Sequence, residues 1–314
     1  MTNILVSMEI TGEHRRLFEQ CAPQCEWRFS RRPTDEEIAA AEILVGNLPA
    51  ARLEQAKSLK LYQLNSAGVG DALALCAPGR GVRVCKATGS YGLAISEHMF
   101  GMLLSLQKRL ARYRDQQRDG LWRDLGPVKS VCGSNVLVIG MGDIGGEFAR
   151  RCKAFGARVT GIRRSAGACP DCCDRVGVQA DADRYLPEAD IVFLCMPETP
   201  ETVGFMSRER IFSMKEGAIL LNAGRGTAVD TDALTDALRA NHLFGAGLDV
   251  TCPEPLPAEH PLWQCENALI TPHVSGYYHL QQTHDNIVRL ACDNIRAYLD
   301  GCPLRSEVDY ERGY

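Results

Sequence analysis

No stretch of this chain is apolar for long enough to cross a bilayer, and nowhere do lysines and arginines gather into a run. The first absence removes the integral membrane proteins. The second, with a net charge of -4 over 314 residues, removes the electrostatic footprint of a nucleic-acid or anionic-membrane binder, so neither partner is expected. Internal repeats and low-complexity linkers are missing as well. The amino terminus, residues 1–6, lacks the basic flank of a signal peptide and reads as a first core strand, so a cytoplasmic protein is expected. What remains is an ordinary globular chain, 45% hydrophobic and 24% charged, longer than one domain usually runs. Two domains are the natural count.

Cysteine, by contrast, is plentiful at 14 residues. Without a secretory signal these are not expected to form a disulfide framework. Cys132, Cys195 and Cys292 fall inside apparent core strands or helices, where a free thiol packs as a small hydrophobe. The run Cys169-Pro170-Asp171-Cys172-Cys173 offers half of a zinc site and no second half, so it reads as a solvent-facing loop with no metal assigned.

The chain is organised around Val136-Leu137-Val138-Ile139 followed by Gly140-Met141-Gly142-Asp143-Ile144-Gly145. A short apolar run reads as a strand buried on both faces, and the glycines after it have G-x-G-x-x-G spacing before a helix-like stretch. Gly140 suits a tight turn, Gly142 lets a pyrophosphate approach the backbone, and Gly145 lets helix and strand pack closely. The helix's free N–H groups and positive dipole end then face the phosphates.

On either side the same βα rhythm repeats. Residues 1 to about 90 alternate short strands (4–6, 43–45, 61–64, 82–85) with helical segments. A single long helix is expected from about 94 to 119, apolar first and charged later; its apolar surplus suits a homodimer interface. Further strands are expected at 158–162, 190–195, 218–221, 245–249 and 268–270, which with 136–139 make a six-stranded parallel dinucleotide domain. A last helix, about 281–300, is long enough to return to the first domain. The expected architecture is α/β: two Rossmann-like domains, parallel sheets flanked by helices, with a cleft between them. Residues 1–95 plus 284–314 form the flavodoxin-like substrate domain, and 96–283 the dinucleotide-binding Rossmann domain.

Ligands of open α/β sheets bind beyond the carboxyl ends of the strands. After 218–221 comes Asn222-Ala223-Gly224-Arg225-Gly226; after 245–249 come Asp249 and then Glu254-Pro255; after 268–270 comes Thr271-Pro272-His273-Val274-Ser275-Gly276. Taken singly, Arg225 reads as a turn arginine, Glu254 as a solvated acid and His273 as a capped core histidine. Their shared placement beside the glycine loop makes a site the better reading.

These motifs, in this order, closely resemble the D-isomer-specific 2-hydroxyacid dehydrogenase family, of the glyoxylate/hydroxypyruvate reductase kind. The resemblance runs over essentially the whole chain, including the helix entry Ala94-Ile95-Ser96-Glu97-His98 and the loop Ser66-Ala67-Gly68-Val69-Gly70. It implies reversible hydride transfer between a nicotinamide and a small 2-oxo acid, giving the D-2-hydroxy acid. His273 would be the acid/base. Glu254, bonded to its other ring nitrogen, would fix the tautomer and favour the imidazolium. Arg225 would orient the substrate carboxylate and polarise the carbonyl. Backbone N–H groups of Ala67, Gly68 and Val69 would hold the other carboxylate oxygen, while Asn47, Leu48 and Tyr91 would line the pocket. Asp249 would contact the nicotinamide carboxamide. Met196, Pro197, Thr202, Ala223, Gly224, Ser275 and Gly276 complete the expected cofactor wall.

Cofactor choice turns on the end of the 158–162 strand. NAD-using members carry an acid there for the ribose hydroxyls. Here Arg163-Arg164-Ser165 stands instead, suited to a 2′-phosphate, so NADP(H) is expected in preference, with NAD(H) the alternative. The 66–71 loop has no lysine or arginine for a substrate phosphate, which weighs against a D-3-phosphoglycerate dehydrogenase. Formate dehydrogenases of this fold carry Gln where Glu254 stands. A dinucleotide-sensing corepressor, a binding module on the same fold, is the rival from another class; the compact chain lacks its usual tails.

Overall fold

A computed structural model describes residues 1–77 and 80–311. The chain divides into two compact units, Met1–Tyr91 with Tyr278–Tyr314, and Gly92–Tyr277. The boundaries expected from sequence, after 95 and before 284, fall a few residues away, because the helix that opens the second unit starts earlier than its apolar run suggests. Of the segment 284–314, residues 312–314 lie outside the described residues.

The first unit holds β1 (Asn3–Val6), β2 (Glu26–Phe29), β3 (Ile43–Val45), β4 (Leu61–Gln63) and β5 (Arg83–Cys85), paired in parallel in the order β2-β1-β3-β4-β5. Helices α1 (Gly12–Cys21), α2 (Asp35–Ala40) and α3 (Ala50–Leu53) connect them. The inner strands are mainly apolar because both faces are covered; Ile43, Leu44 and Val45 are fully buried, and Gln63 of β4 is a buried polar residue among them. β2 was not expected: it is an edge strand that alternates exposed Glu26 and Arg28 with Trp27 and Phe29, whose rings stack at 5.8 Å. The chain returns here through a terminal helix, α10 (Gln281–Leu299). On it Asp285 accepts from His14 Nε2 at 2.8 Å, and Asn294 donates to the buried Gln63 Oε1 at 2.6 Å. Arg83 and Glu307, joined by two 2.7 Å hydrogen bonds, seal the edge of β5.

The second unit is a seven-stranded, wholly parallel sheet. Its strands are β6 (Asn135–Ile139), β7 (Arg158–Arg163), β8 (Arg175–Val178), β9 (Ile191–Leu194), β10 (Ile219–Asn222), β11 (Gly245–Leu248) and β12 (Ala268–Ile270), ordered β12-β11-β10-β9-β6-β7-β8. Around it lie α4 (Gly92–Gln107), α5 (Leu110–Arg118), α6 (Asp143–Ala154), α7 (Ala182–Tyr185), α8 (Arg208–Ser213) and α9 (Thr231–Arg239). The order reverses between β6 and β9, the switch point beside which open α/β sheets bind their ligands. Alternate residues serve the two faces. Leu137, Val192, Leu194, Leu220 and Leu248 join the core beneath α8 and α9. On the other face Phe193 packs at 4.3 Å from Phe148 of α6, which in turn meets Phe100 of α4. Burying one such side chain contributes roughly 1.5–3 kcal/mol.

Four expectations are corrected. The sheet has a seventh strand, β8, whose short sequence with an exposed Arg175 hides its register. The strand expected at 190–195 stops at Leu194, leaving Cys195 in the loop. Cys132 is exposed in the turn before β6 rather than packed in a core. The single helix expected at 94–119 is two helices, broken where Arg109 takes a left-handed backbone (φ 56°) with its guanidinium 5.4 Å from the Phe244 ring centroid. The apolar face of α4 is spent inside the unit: Met99, Phe100, Met102 and Leu103 are buried there. No helix among the described residues is long and apolar enough to cross a membrane.

Candidate active site

The glycine loop leaves β6 at its carboxyl end and runs into α6. Gly140 has φ 111°, and a Cβ there would sit 2.8 Å from the Cys195 carbonyl, so the two strand-end loops touch through backbone. A Cβ on Gly145 would lie 2.1 Å from the Gly140 oxygen, which brings the helix hard against the strand. Gly142 differs: nothing lies within 4 Å of its Cβ position, and no side chain caps the helix it starts. Open space over an uncapped helix N-terminus is what a pyrophosphate needs. The Asp143 carboxylate points elsewhere, accepting the Gly92 N–H at 2.7 Å and so capping α4. Cys195 closes the floor, its thiol, raised by desolvation, donating to the Gly140 carbonyl at 3.0 Å.

Beyond β9, Met196 is buried, and Thr202 shapes the loop by donating to the Pro197 carbonyl at 2.8 Å and accepting the Thr199 N–H at 2.8 Å. Beyond β10, the fully buried Asn222 staples its own turn: its Oδ1 accepts the Gly224 N–H at 3.0 Å and its Nδ2 donates to the Arg225 carbonyl at 3.0 Å. That fixes the backbone of Arg225, whose Nη1 donates to the Gly224 carbonyl at 2.8 Å. A Cβ on Gly226 would stand 1.8 Å from the Thr251 carbonyl oxygen. Only glycine lets the arginine turn lie against the loop that leads to Glu254.

Asp249, at the end of β11, is 2% exposed. Its Oδ1 accepts from Thr271 Oγ1 at 2.6 Å and Val274 N at 3.0 Å, and its Oδ2 accepts from Ser275 N at 3.1 Å and from Ser275 Oγ. Both carboxylate oxygens therefore hold the loop after β12. The apex of that loop is His273, in a left-handed backbone (φ 52°) stabilised by its N–H shared between the carbonyls of Asp249 at 2.8 Å and Thr271 at 2.9 Å. The histidine side chain, half exposed, turns Nδ1 to Glu254 Oε2 at 3.0 Å. The other oxygen of Glu254 accepts the Thr251 N–H at 3.1 Å. A carboxylate only accepts, so Nδ1 carries the proton and Nε2 is left for proton exchange.

The turns after β10, β11 and β12 thus meet on one sheet edge. Residues 100–275 match the family described as "D-isomer specific 2-hydroxyacid dehydrogenase, NAD binding domain". The chain belongs to the D-isomer specific 2-hydroxyacid dehydrogenase family. Members are dinucleotide-dependent oxidoreductases acting on CH–OH groups. This dehydrogenase is 30% identical to the human protein named glyoxylate reductase/hydroxypyruvate reductase, over 98% of each chain. It is 28% identical to a D-3-phosphoglycerate dehydrogenase of Archaeoglobus fulgidus, of whose length it spans 54%. Among solved structures, a D-isomer specific 2-hydroxyacid dehydrogenase family protein of Aeromonas salmonicida aligns with TM-score 0.86 and 33% identity, over 98% of this chain and 99% of that one.

The other residues singled out from the dehydrogenase sequence have definite places. Arg163 ends β7 with Nη1 against Gly167. Arg164 and Ser165 follow it on the surface. Arg164 helps hold the Glu201 carboxyl below the usual range, after the larger effects of Thr199 and the Glu201 backbone N–H. Ala223 donates its N–H to the Leu194 carbonyl at 3.0 Å. Gly276 follows Ser275 beyond the Asp249 anchor. In the first unit, Asn47 Oδ1 accepts the Asn65 N–H at 3.1 Å, Leu48 N–H donates to Tyr62 at 2.9 Å, and Tyr91 donates to the Asn65 carbonyl. Ser66 Oγ donates to the Gly68 carbonyl at 2.7 Å beside Ala67, while Val69 belongs to the unit's core.

Three holding roles were not legible in the sequence. His98, from the helix-entry motif, places Nε2 at 3.0 Å from Thr271 Oγ1, extending the Asp249 network onto α4. The holding roles of Asn222 and Asp249 were equally unseen. A cavity of about 420 Å³ lined by Arg109, Arg112, Arg239 and Asn267 opens at the amino ends of β10 to β12, the opposite edge from this chemistry.

The anchor is testable. Asp249→Asn sets an amide NH₂ against donors on one side of the buried pocket. Leaving a buried donor unmatched costs about 1–3 kcal/mol, so Tm is expected to fall by roughly 2–10 °C, with kcat falling alongside. An unchanged Tm by calorimetry would show that the carboxylate does not hold the histidine loop.

Proposed function

We propose that the protein reduces a small 2-oxo acid, of the glyoxylate or hydroxypyruvate kind, to the D-2-hydroxy acid using NADPH. The observation that carries this reading is the Glu254–His273 pair beside the Arg225 turn, on a histidine loop that both oxygens of Asp249 hold. The uncapped start of α6 with open space at Gly142 fits a dinucleotide pyrophosphate, and Arg163 with Arg164 fits an added 2′-phosphate. Bound there, the nicotinamide supplies the hydride.

The chain's own groups do the rest. Arg225 presents a planar fork to the substrate carboxylate and draws charge from the carbonyl oxygen. His273, with Nδ1–H fixed on Glu254, delivers a proton from Nε2 to that oxygen as it becomes an alkoxide. Glu254 stabilises the imidazolium before transfer. We assign the Ala67, Gly68 and Val69 backbone, with Asn47, Leu48 and Tyr91, to the substrate carboxylate and side group. The absence of lysine or arginine in residues 66–71 favours an unphosphorylated acid. A D-3-phosphoglycerate dehydrogenase activity is the alternative, supported by the archaeal relative's name.

Two substitutions separate these parts. His273→Gln is expected to lower kcat by about 10²–10⁴ in a panel of 2-oxo acids followed by NADPH oxidation, while dinucleotide affinity stays unchanged. Undiminished turnover removes the acid/base assignment. Arg163→Asp is expected to lower the NADPH-to-NADH ratio of kcat/KM roughly tenfold or more, the worth of a charge-assisted bidentate contact. A constant ratio means the 2′-phosphate is read elsewhere.

We further propose that two copies pair through the 94–119 region. With α4 buried inside the unit, the exposed apolar side chains nearby are Leu110 and, just beyond the region, Leu121 and Trp122. Light scattering at micromolar concentration should return twice the chain mass of 34.5 kDa; a single-chain mass refutes it.

A further inference from the structure

Cys169, Cys172 and Cys173 lie in the loop between β7 and β8, and neither proton transfer nor carboxylate binding uses them. All three are free thiols; Cys169 is exposed, Cys172 buried and Cys173 intermediate. A tight turn gathers them. The Cys173 N–H donates to the Pro170 carbonyl at 2.8 Å, and the Cys169 thiol folds back to donate to the Cys173 carbonyl at 3.5 Å. Burial, then its neighbours Cys172 and Cys169, pushes the Cys173 thiol up to about 12.

This loop is a wall of the dinucleotide site. Cys173 Sγ lies 4.0 Å from Sδ of Met141, the residue between the first two glycines of the phosphate loop. Both sulfur side chains rest on Gly161 of β7, where a Cβ would come within 2.6 Å of Met141 and 3.0 Å of Cys173. Further along the same loop, a Cβ on Gly167 would lie 2.6 Å from Arg163 Nη1. The loop thus props both Met141 and the arginine assigned to the 2′-phosphate. Its far end is pinned: Asp174 accepts Lys153 Nζ and the Val159 N–H, each at 2.7 Å. Any tightening of the turn therefore falls on the side that faces Met141 and Arg163.

We infer that Cys169 and Cys172 form a reversible dithiol–disulfide pair whose closure weakens dinucleotide binding, with small-molecule disulfides of the glutathione type as the oxidising partner. The coupling rests on the dinucleotide reading above; the bridge itself does not. C-x-x-C spacing around a turn suits a disulfide, and the exposed Cys169 is the sulfur an oxidant reaches first. Its thiolate attacks the small disulfide, forming a mixed disulfide and releasing one small thiolate. Cys172 then attacks the Cys169 sulfur, the protein disulfide forms, and the second small thiolate leaves. Two protons lost by the protein go to the two released thiolates, and two electrons reduce the small disulfide. Closure needs the sulfurs about 2.05 Å apart, which tightens the turn that Cys173 closes through its N–H and carbonyl and so shifts Cys173 against Met141.

The test uses the whole chain, treated with oxidised glutathione or with dithiothreitol, alkylated, and mapped by peptide mass. NADPH affinity is read in parallel by fluorescence titration. The expected result is a 169–172 bridge in the oxidised protein, NADPH binding at least about fivefold weaker, and full recovery on reduction. Cys169→Ser should lose both effects while its reduced form binds NADPH as the parent does. No bridge, a bridge to Cys173 instead, or a 169–172 bridge with unchanged NADPH affinity overturns the inference. A reduced protein that binds no dinucleotide sinks the functional reading and the coupling together, which the disulfide map, independent of nucleotide, tells apart from failure of the bridge alone.

Discussion

A buried carboxylate with four donors around it sets the geometry of the histidine loop. Left unpaired, the Asp249 charge would cost several kcal/mol in so dry a position. Paired with the Thr271 hydroxyl, two backbone N–H groups and the Ser275 hydroxyl, it instead forces residues 271–275 into one conformation. The left-handed turn at His273 is a consequence, stabilised locally because its N–H finds two carbonyls at the ends of β11 and β12. From that apex the imidazole reaches Glu254, whose own loop is pressed against the Arg225 turn at Gly226. Three flexible side chains are thus placed by backbone contacts, each short and directional. Such placement is what the proposed proton donor and guanidinium need in order to act together.

The phosphate end is built on the same logic with different means. Here the backbone itself is the ligand, so the side chains nearby must be kept out. Gly142 has none, and Asp143 directs its negative charge to the start of α4. Had that carboxylate remained at the mouth of α6, it would oppose the anion that the helix dipole invites. One residue therefore serves two helices, capping the first and clearing the entrance to the second.

How much of this could be read from sequence depended on whether neighbours in space were neighbours in the chain. The glycine loop, the Arg225 turn and the histidine loop are contiguous runs that follow apolar strands, so pattern and motif could pick them out. β2 and β8 were hidden because edge strands carry polar and charged residues that break apolar patterning, and β2's Glu26 and Arg28 look like a loop. At the break, Arg109 sets its guanidinium over the ring of Phe244, the residue before β11 and more than a hundred residues away. Asp249 was seen, and its motif named, yet its partners could be assigned only once β11 and β12 were known to run side by side. The same holds for His98, whose contact with Thr271 crosses from α4 to the sheet edge.

Sheet order also limits what the cofactor can be. The residues proposed to read a 2′-phosphate end β7, while the chemistry sits beyond β10, β11 and β12. From β7 to β11 the order passes through β6, β9 and β10, four strand spacings, or about 19 Å at 4.8 Å each. A mononucleotide held at Arg163 cannot present a reactive ring beside His273 across that span; an extended dinucleotide, with its pyrophosphate over α6 midway, can. Distance along the sheet also separates the tasks. In the proposed reading, cofactor discrimination at Arg163 and proton transfer at His273 stand toward opposite ends of the sheet, with the glycine loop between them.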